Sequence, residues 1–217
     1  MSIVALAIGA TVLLSDPASP AATQPSERLT PFPNVTVDFK AMAIEVSASV
    51  IHAPEPLEQV VCVLGSRDHE TLLTAKVRPS QLHAAMLMLD LNPGMPGRFV
   101  TENEVVRFEP PTGDALELVI HVTADDGSVS EHTIESWIID DKKTAYEDPE
   151  WVFAGSLVMK NQKWMGDGEH YVADMTGTLV GFVTFGDEPI ALTKAISEFA
   201  EERPREWRPN LDIMPAE

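Results

Sequence analysis

Apolar and polar residues alternate along much of the chain from Val35 onward, a pattern typical of strands that bury one face. The run Val60–Leu64 is apolar at every position and predicts a central strand buried on both faces. Asp125–Ser128 contains an Asp-Gly step that favours a tight hairpin turn. Alternation predicts strands at 35–39, 42–46, 71–77 and 116–122, and further strands are predicted at 129–139, 151–159 and 178–185. The chain is therefore expected to be mostly sheet.

One helix is predicted over about 80–91, where apolar residues recur at helical spacing. Ser80 is its expected N-cap, and Asn92–Gly94 is expected to end it. Its other positions are mostly apolar too, so we expect the fold to enclose it. A short C-terminal helix is predicted from the spacing of Leu192, Ala195, Ile196 and Phe199. The predicted fold class is α+β: a mostly antiparallel β-sheet, one central buried helix and the short C-terminal helix.

The ends of the chain have a different composition from the patterned middle. Ile3–Leu14 is an uncharged apolar run, too short to cross a bilayer, and it fits the apolar stretch of a secretory signal. Small residues at 19–22 offer a cleavage site, although no Lys or Arg precedes the run. We therefore expect a signal peptide at 1–22, a mature chain that begins near Ala22 and export to the periplasm or beyond. A buried N-terminal strand or helix is the alternative. Residues 23–34 are expected to be a proline-rich linker and 200–217 a charged tail.

The composition excludes several classes of function. The 217 residues include 34 acidic and 15 basic side chains, a net charge of −19. Such a charge argues against sequence-independent nucleic-acid binding and against docking to anionic lipid. The single cysteine, Cys62, rules out an internal disulfide and multi-thiolate metal sites. The acidic excess concentrated in 101–150 is interpreted as a solvated sheet face rather than a calcium loop.

The turn predicted between two apolar strands holds the candidate site residues Arg67, Asp68, His69 and Glu70. His69-Glu70 resembles the first half of a zinc-protease motif, but the second histidine it needs is replaced by Leu73. His83 is expected to be a packed or hydrogen-bonded core residue, too distant from His69 to share a metal. No metal site and no cofactor are predicted.

The orientation of His69 follows from strand alternation. If the strand extends back to this residue, His69 lies on the same face as Leu73 and points towards the core. Glu70 then faces the other way, where it is expected to accept from turn N–H groups or pair with Arg67. On this interpretation His69→Ala lowers stability by about 1–3 kcal/mol, because it removes a buried hydrogen-bonding partner.

Four segments in the same order resemble the YdjY-type domain of exported bacterial proteins. They are Gly65–Leu73, Leu82–Gly94, Trp151–Ser156 and Tyr171–Leu192, and the resemblance covers about 35–199. Thr71 replaces the usual Ser, and Asp90 stands where a glycine is common. The resemblance implies export and an envelope setting, and it carries no settled activity.

Two hypotheses about function follow. The first is a non-enzymatic, envelope-associated domain that binds an unknown protein or envelope component or has a structural role. The alternative is a hydrolase or metal-assisted enzyme that uses His69 and Glu70, with Asp68 or Asp90 as a further ligand or orienting group. An enzyme should bring His69 and Glu70 together at a cleft with a third polar group, whereas a structural turn should use them in backbone caps and an ion pair with Arg67.

Overall fold

The structure is a computed structural model that describes residues 3–10, 27–52, 56–102, 104–140, 142–147, 149–160, 167–193 and 207–215. The strands, in chain order, are β1 Ile3–Ala10, β2 Arg28–Phe32, β3 Val35–Asp38, β4 Ala43–Val50, β5 Gln59–Val63, β6 Thr71–Ala75, β7 Arg98–Glu102, β8 Val105–Glu109, β9 Ala115–Thr123, β10 Val129–Thr133, β11 Ile138–Ile139, β12 Trp151–Phe153, β13 Val158–Lys160, β14 Glu169–Tyr171, β15 Thr178–Gly181, β16 Ile190–Leu192 and β17 Arg208–Pro209. The two α-helices are α1 Pro79–Met88 and α2 Val172–Thr176. Asp68–Glu70 and Ile134–Trp137 form short 3₁₀ helices.

The main sheet closes on itself into an eight-stranded cylinder, which we call the closed sheet. Its strand order is β1-β9-β12-β16-β15-β5-β6-β4, and a further pairing of β1 with β4 completes the circle. Most pairs are antiparallel, as predicted, but β5–β6 and β15–β16 are parallel. The prediction of a mostly antiparallel sheet with few helices is therefore confirmed in outline. It did not foresee closure, because local periodicity carries no information on which distant strands pair.

The core fills from the inward positions of these strands. β5 is buried along almost its whole length, which confirms a central strand covered on both faces, but Leu64 at the end of the predicted run lies outside it and is 47% exposed. The Asp125–Ser128 turn is confirmed as a hairpin: Gly127 has φ 82°, and β9 and β10 pair on either side of it.

The predicted central helix exists but differs in its bounds and in its packing. It begins at Pro79 rather than Ser80, and Ser80 does not cap it. Instead Ser80 donates from its N–H and its hydroxyl to Asp174, 2.8 and 2.7 Å away. The helix packs against β3, β15 and α2. Enclosure on all sides was wrong, since Leu87 is 47% exposed.

The helix ends in a Schellman motif. The Leu91 N–H donates to the Met86 carbonyl, and the Asp90 N–H donates to the Leu87 carbonyl. Asp90 has φ 62°, in the left-handed region that glycine adopts without strain. This explains why a glycine suits position 90, and it gives Asp90 a structural role at the helix end.

Parts of both chain ends form strands in the structure. Ile3–Ala10, inside the expected signal, is a strand of the closed sheet, as in the alternative kept open above, and Arg28–Phe32, inside the expected linker, pairs with β3. In the expected charged tail, Trp207 packs against Tyr146, and β17 pairs with β11. Leu192 lies in β16 rather than in a helix. The other residues of the predicted C-terminal helix, Ala195, Ile196 and Phe199, lie outside the described residues.

Candidate functional site

The candidate residues lie in the connection between β5 and β6, residues 64–70, which we call the return segment. Parallel neighbouring strands usually need a connection of about a dozen residues or more, yet this segment is much shorter. It runs back along the sheet, so that the Glu70 carbonyl accepts from the Glu58 N–H at the start of β5. It also brings Asp68 near the buried Cys62, whose Sγ lies 3.8 Å from Asp68 Oδ1.

Asp68 closes the return segment by capping its own backbone. Its carboxylate accepts from the Gly65 N–H, with oxygens at 2.8 and 3.1 Å. Burial raises the pKa of the Cys62 thiol, which favours its protonated form. The prediction that Cys62 is buried is confirmed. The Asp68 carboxylate stabilises the fold of the return segment through its hydrogen bonds to the Gly65 N–H.

Arg67 is the centre of the charged contacts. One guanidinium nitrogen lies 3.8 Å from Glu70 Oε1 and the other lies 3.9 Å from Asp187 Oδ2. The guanidinium also stacks 4.9 Å above the ring of Phe185, a cation–π contact. The predicted pairing of Glu70 with Arg67 is therefore confirmed.

His69 does not point into the core. Its side chain is 75% exposed, and Nε2 lies 3.4 Å from Glu70 Oε2. The inward orientation was wrong because residues 68–70 form a turn of 3₁₀ helix, and β6 begins only at Thr71. Strand alternation does not apply within a helical turn.

Two carboxylates that were not predicted from the sequence, those of Asp187 and Glu188, lie in the loop that faces Arg67 of the return segment. Asp187 is 5% exposed: its Oδ2 accepts from the Thr178 hydroxyl at 3.3 Å, and its Oδ1 is buried without a hydrogen-bond partner among the described residues. Glu188 is fully buried and accepts from the Phe185 and Gly186 N–H groups. Burial, followed by the charge of Asp187, raises the pKa of Glu188 to about 7.

The sequence holds one signal for this burial, a glycine in a strand. A Cβ atom at Gly181 would collide with Cγ of Glu188, so the glycine leaves the space that the Glu188 side chain fills. An isolated glycine within a strand pattern often marks such a close approach. Gln59, the β5 partner of Gly181, is also fully buried, and both polar atoms of its amide lack partners among the described residues.

A second polar group surrounds His83. Its Nδ1 lies 3.0 Å from the Tyr171 hydroxyl, and its ring packs edge-on against Phe153. Burial lowers the pKa of His83 and raises that of Tyr171. The prediction that His83 is a packed, hydrogen-bonded residue is confirmed.

Ser156, next to this group, has φ 57°, a conformation that is unusual for a residue with a side chain. Its hydroxyl donates to the Asp187 carbonyl at 2.6 Å and accepts from the Ala173 N–H at 3.2 Å. Its hydroxyl proton is therefore held by a backbone carbonyl, and the hydroxyl joins three chain segments.

The described part of the chain contains no group of three or more His, Cys, Asp or Glu side chains arranged to hold a metal ion. Of two surface cavities, of about 180 and 250 Å³, the smaller is lined in part by Leu64 of the return segment, but none of the predicted site residues lines either cavity. Within the described residues, no helix is long and apolar enough to span a membrane.

Comparison with known families decides the relationship that the sequence segments suggest. The family model for the YdjY domain matches residues 35–217. The chain belongs to the YdjY family. The match extends past 199, so the YdjY domain includes the segment expected to be a separate tail, in agreement with the packing of Trp207. No curated protein and no solved structure matches the chain.

The YdjY segments quoted from the sequence lie close together in the fold. Arg67 of the first reaches Asp187 of the fourth. His83 of the second contacts Phe153 of the third and Tyr171 of the fourth. These contacts join the segments to one another, which indicates that much of the shared pattern describes a packing arrangement.

Proposed function

We propose that this YdjY domain is exported to the cell envelope and acts there by binding a partner or supporting an assembly, without catalysing a reaction. The observation that carries the proposal is how the return segment uses its polar groups. Asp68 caps Gly65, Glu70 pairs with Arg67, and Arg67 also pairs with Asp187. This is the pattern expected of a structural turn.

The carboxylates of Glu188 and Asp174, outside the return segment, also support a role without catalysis. Glu188 has the raised pKa that often marks reactive groups, but it is fully buried and hydrogen-bonded to the backbone of its own loop. Asp174 binds the first turn of α1 through Ser80 and Arg78. Each of these carboxylates has a structural task.

Export is tested by fusing residues 1–34 to a phosphatase that folds only outside the cytoplasm, with a control fusion in which Leu6 and Ile8 are changed to Glu. We expect activity from the first fusion and none from the second. Mass spectrometry of the chain extracted from the envelope should find a start near Ala22. An intact Met1–Leu14 segment on that protein would refute cleavage.

The enzymatic alternative rests on one contact, the 3.4 Å separation of the exposed His69 and Glu70. It is tested by incubating the purified chain with chromogenic esters, phosphate esters and peptides, with and without zinc. We expect no turnover above that of the Glu70→Gln variant. Turnover that Glu70→Gln and His69→Ala both abolish, in variants that unfold at the wild-type temperature, would overturn the proposal.

A further inference from the structure

The N-terminal strand β1 is the strand that completes the closed sheet, and the place it fills between β4 and β9 is called the seam. Six residues of β1 pair with β4 and eight pair with β9, antiparallel on both sides. Residues 11–26, which lie outside the described residues, stand between β1 and Glu27 in the sequence, so β1 is not joined to β2 by a tight hairpin. Proteins with an exposed sheet edge can accept an extended segment of another chain as an added strand.

The seam selects its occupant through two inward positions. Leu6 lies in register with Val46 and Ile120, and Ile8 lies in register with Ile44 and Leu118. All six side chains are at most 3% exposed. Without an occupant, the four side chains of β4 and β9 would lose their cover and two rows of backbone groups would lose their partners.

The outward-facing positions of β1 determine the size and charge of the side chains that can occupy them. Ala7 lies between Glu45 and Val119, and Gly9 lies between Ala43 and Glu117. A Cβ atom at position 9 would meet open space, so a larger side chain fits there. A Lys or Arg at this position would face Glu117, an opposite-charge pair across the strands.

We propose that the seam is a strand-acceptor site, which in the exported protein binds an extended segment of another envelope protein. This inference rests on the proposed export, because removal of residues 1–22 takes β1 away and vacates the seam. The bound segment runs antiparallel to β4 and β9, with apolar residues at the two inward positions and small or basic residues facing outward. Strand addition is a recognised mode of peptide binding, in which backbone hydrogen bonds give affinity and inward pockets give specificity.

The experiment uses the full chain with a protease site inserted after Ser19, so that β1 is in place when the protein folds. After cutting, the probe is a fluorescent peptide with the sequence of Ile3–Ala10 flanked by lysines. One matched control peptide carries Leu6→Glu and Ile8→Glu, and a second carries Gly9→Lys. Peptide uptake is measured by anisotropy, and the mass of the complex by light scattering.

We expect the cut chain to take up one peptide per molecule and the uncut chain to take up none. The double-Glu peptide should bind at least about 100-fold more weakly, because it places charge at two buried positions. The Gly9→Lys peptide should bind about 2- to 5-fold more tightly at low salt, an advantage that high salt removes.

Three results would overturn the proposal. A cut chain that releases its fragment, stays folded and takes up no peptide would mean that β4 and β9 close the seam themselves. A fragment that never exchanges would make β1 a permanent strand. Dimers of the uncut chain that exchange β1 would make a second copy the occupant. Failure of export is a separate result, since an intact N-terminus on the envelope protein leaves the peptide measurement unaffected.

Discussion

The return segment and the loop 184–188 face each other across Arg67, and they use charge in opposite ways. In the return segment the charged groups are conspicuous in the sequence, but His69 is exposed and Glu70 and Asp68 pair locally. In the loop, Asp187 and Glu188 attract no notice in the sequence, yet both are buried and the pKa of Glu188 is raised to about 7. The difference shows that burial, rather than a cluster of residue types, determines which group has altered chemistry.

The largest expected effect is the pH dependence of stability that Glu188 confers. A carboxyl whose pKa rises from 4.5 to about 7 on folding binds more protons in the folded state, so stability falls as the pH rises through this range. Between pH 5.5 and 8.5 we expect the wild type to lose about 2 kcal/mol more of its free energy of unfolding than Glu188→Gln. Urea unfolding followed by tryptophan fluorescence measures this. Parallel curves for the two proteins would show that Glu188 titrates normally.

Asp187→Ala should have the next largest effect, a loss of about 1.5 kcal/mol at pH 7. It removes one partner of Arg67 and the acceptor of the Thr178 hydroxyl, which keeps the Thr176 hydroxyl as a donor but no longer has an acceptor for its own proton. The controls are the single variant Thr178→Val, which removes the donor, and the double variant that combines it with Asp187→Ala. The double variant should lose less than the sum of the two single losses. Additive losses would contradict the assigned contact.

Glu70→Gln should lower the free energy of unfolding by about 0.5 kcal/mol in low salt. The ion pair with Arg67 is partly buried but spans 3.8 Å, so its contribution is modest. The loss should shrink in 0.5 M NaCl, because salt screens the pair. A loss several times larger and independent of salt would indicate a role for Glu70 beyond this contact.

The smallest effect is expected for His69→Ala, less than about 0.5 kcal/mol. The inward orientation inferred from alternation implied about 1–3 kcal/mol, but the side chain is 75% exposed. Thermal unfolding of the variant beside wild type checks this. A drop of several degrees in the midpoint of thermal unfolding would support the buried orientation of His69 that alternation predicted.

Local patterns in the sequence were sufficient for features that depend on neighbours in the chain. The apolar run around Cys62, the Gly127 hairpin and the pairing of Arg67 with Glu70 all follow from short-range rules. The predicted extent of the helix was close, and Gln81 caps its start locally by accepting from the Arg78 N–H. The further contact of Ser80 with Asp174 comes from far along the chain, so no local rule could supply it.

Features that depend on long-range packing could not be predicted in the same way. Closure of the sheet requires β1 to pair with two distant strands, and periodicity gives no partner for a strand. The burial of Glu188 depends on the space left by Gly181, and the glycine in the strand pattern signals a close approach without saying which residue makes it. His69 was misplaced because a single turn of 3₁₀ helix interrupts the alternation.

The carboxyl with the raised pKa lies in the loop 184–188, on Glu188, and not in the turn that holds the charged candidates Arg67 to Glu70. The direct measurement is a carboxyl-carbon NMR titration of the labelled protein, with the Glu188 signal assigned by its absence from Glu188→Gln. We expect a midpoint for Glu188 near pH 7. A midpoint near 4.5, the ordinary value for a glutamate, would contradict it.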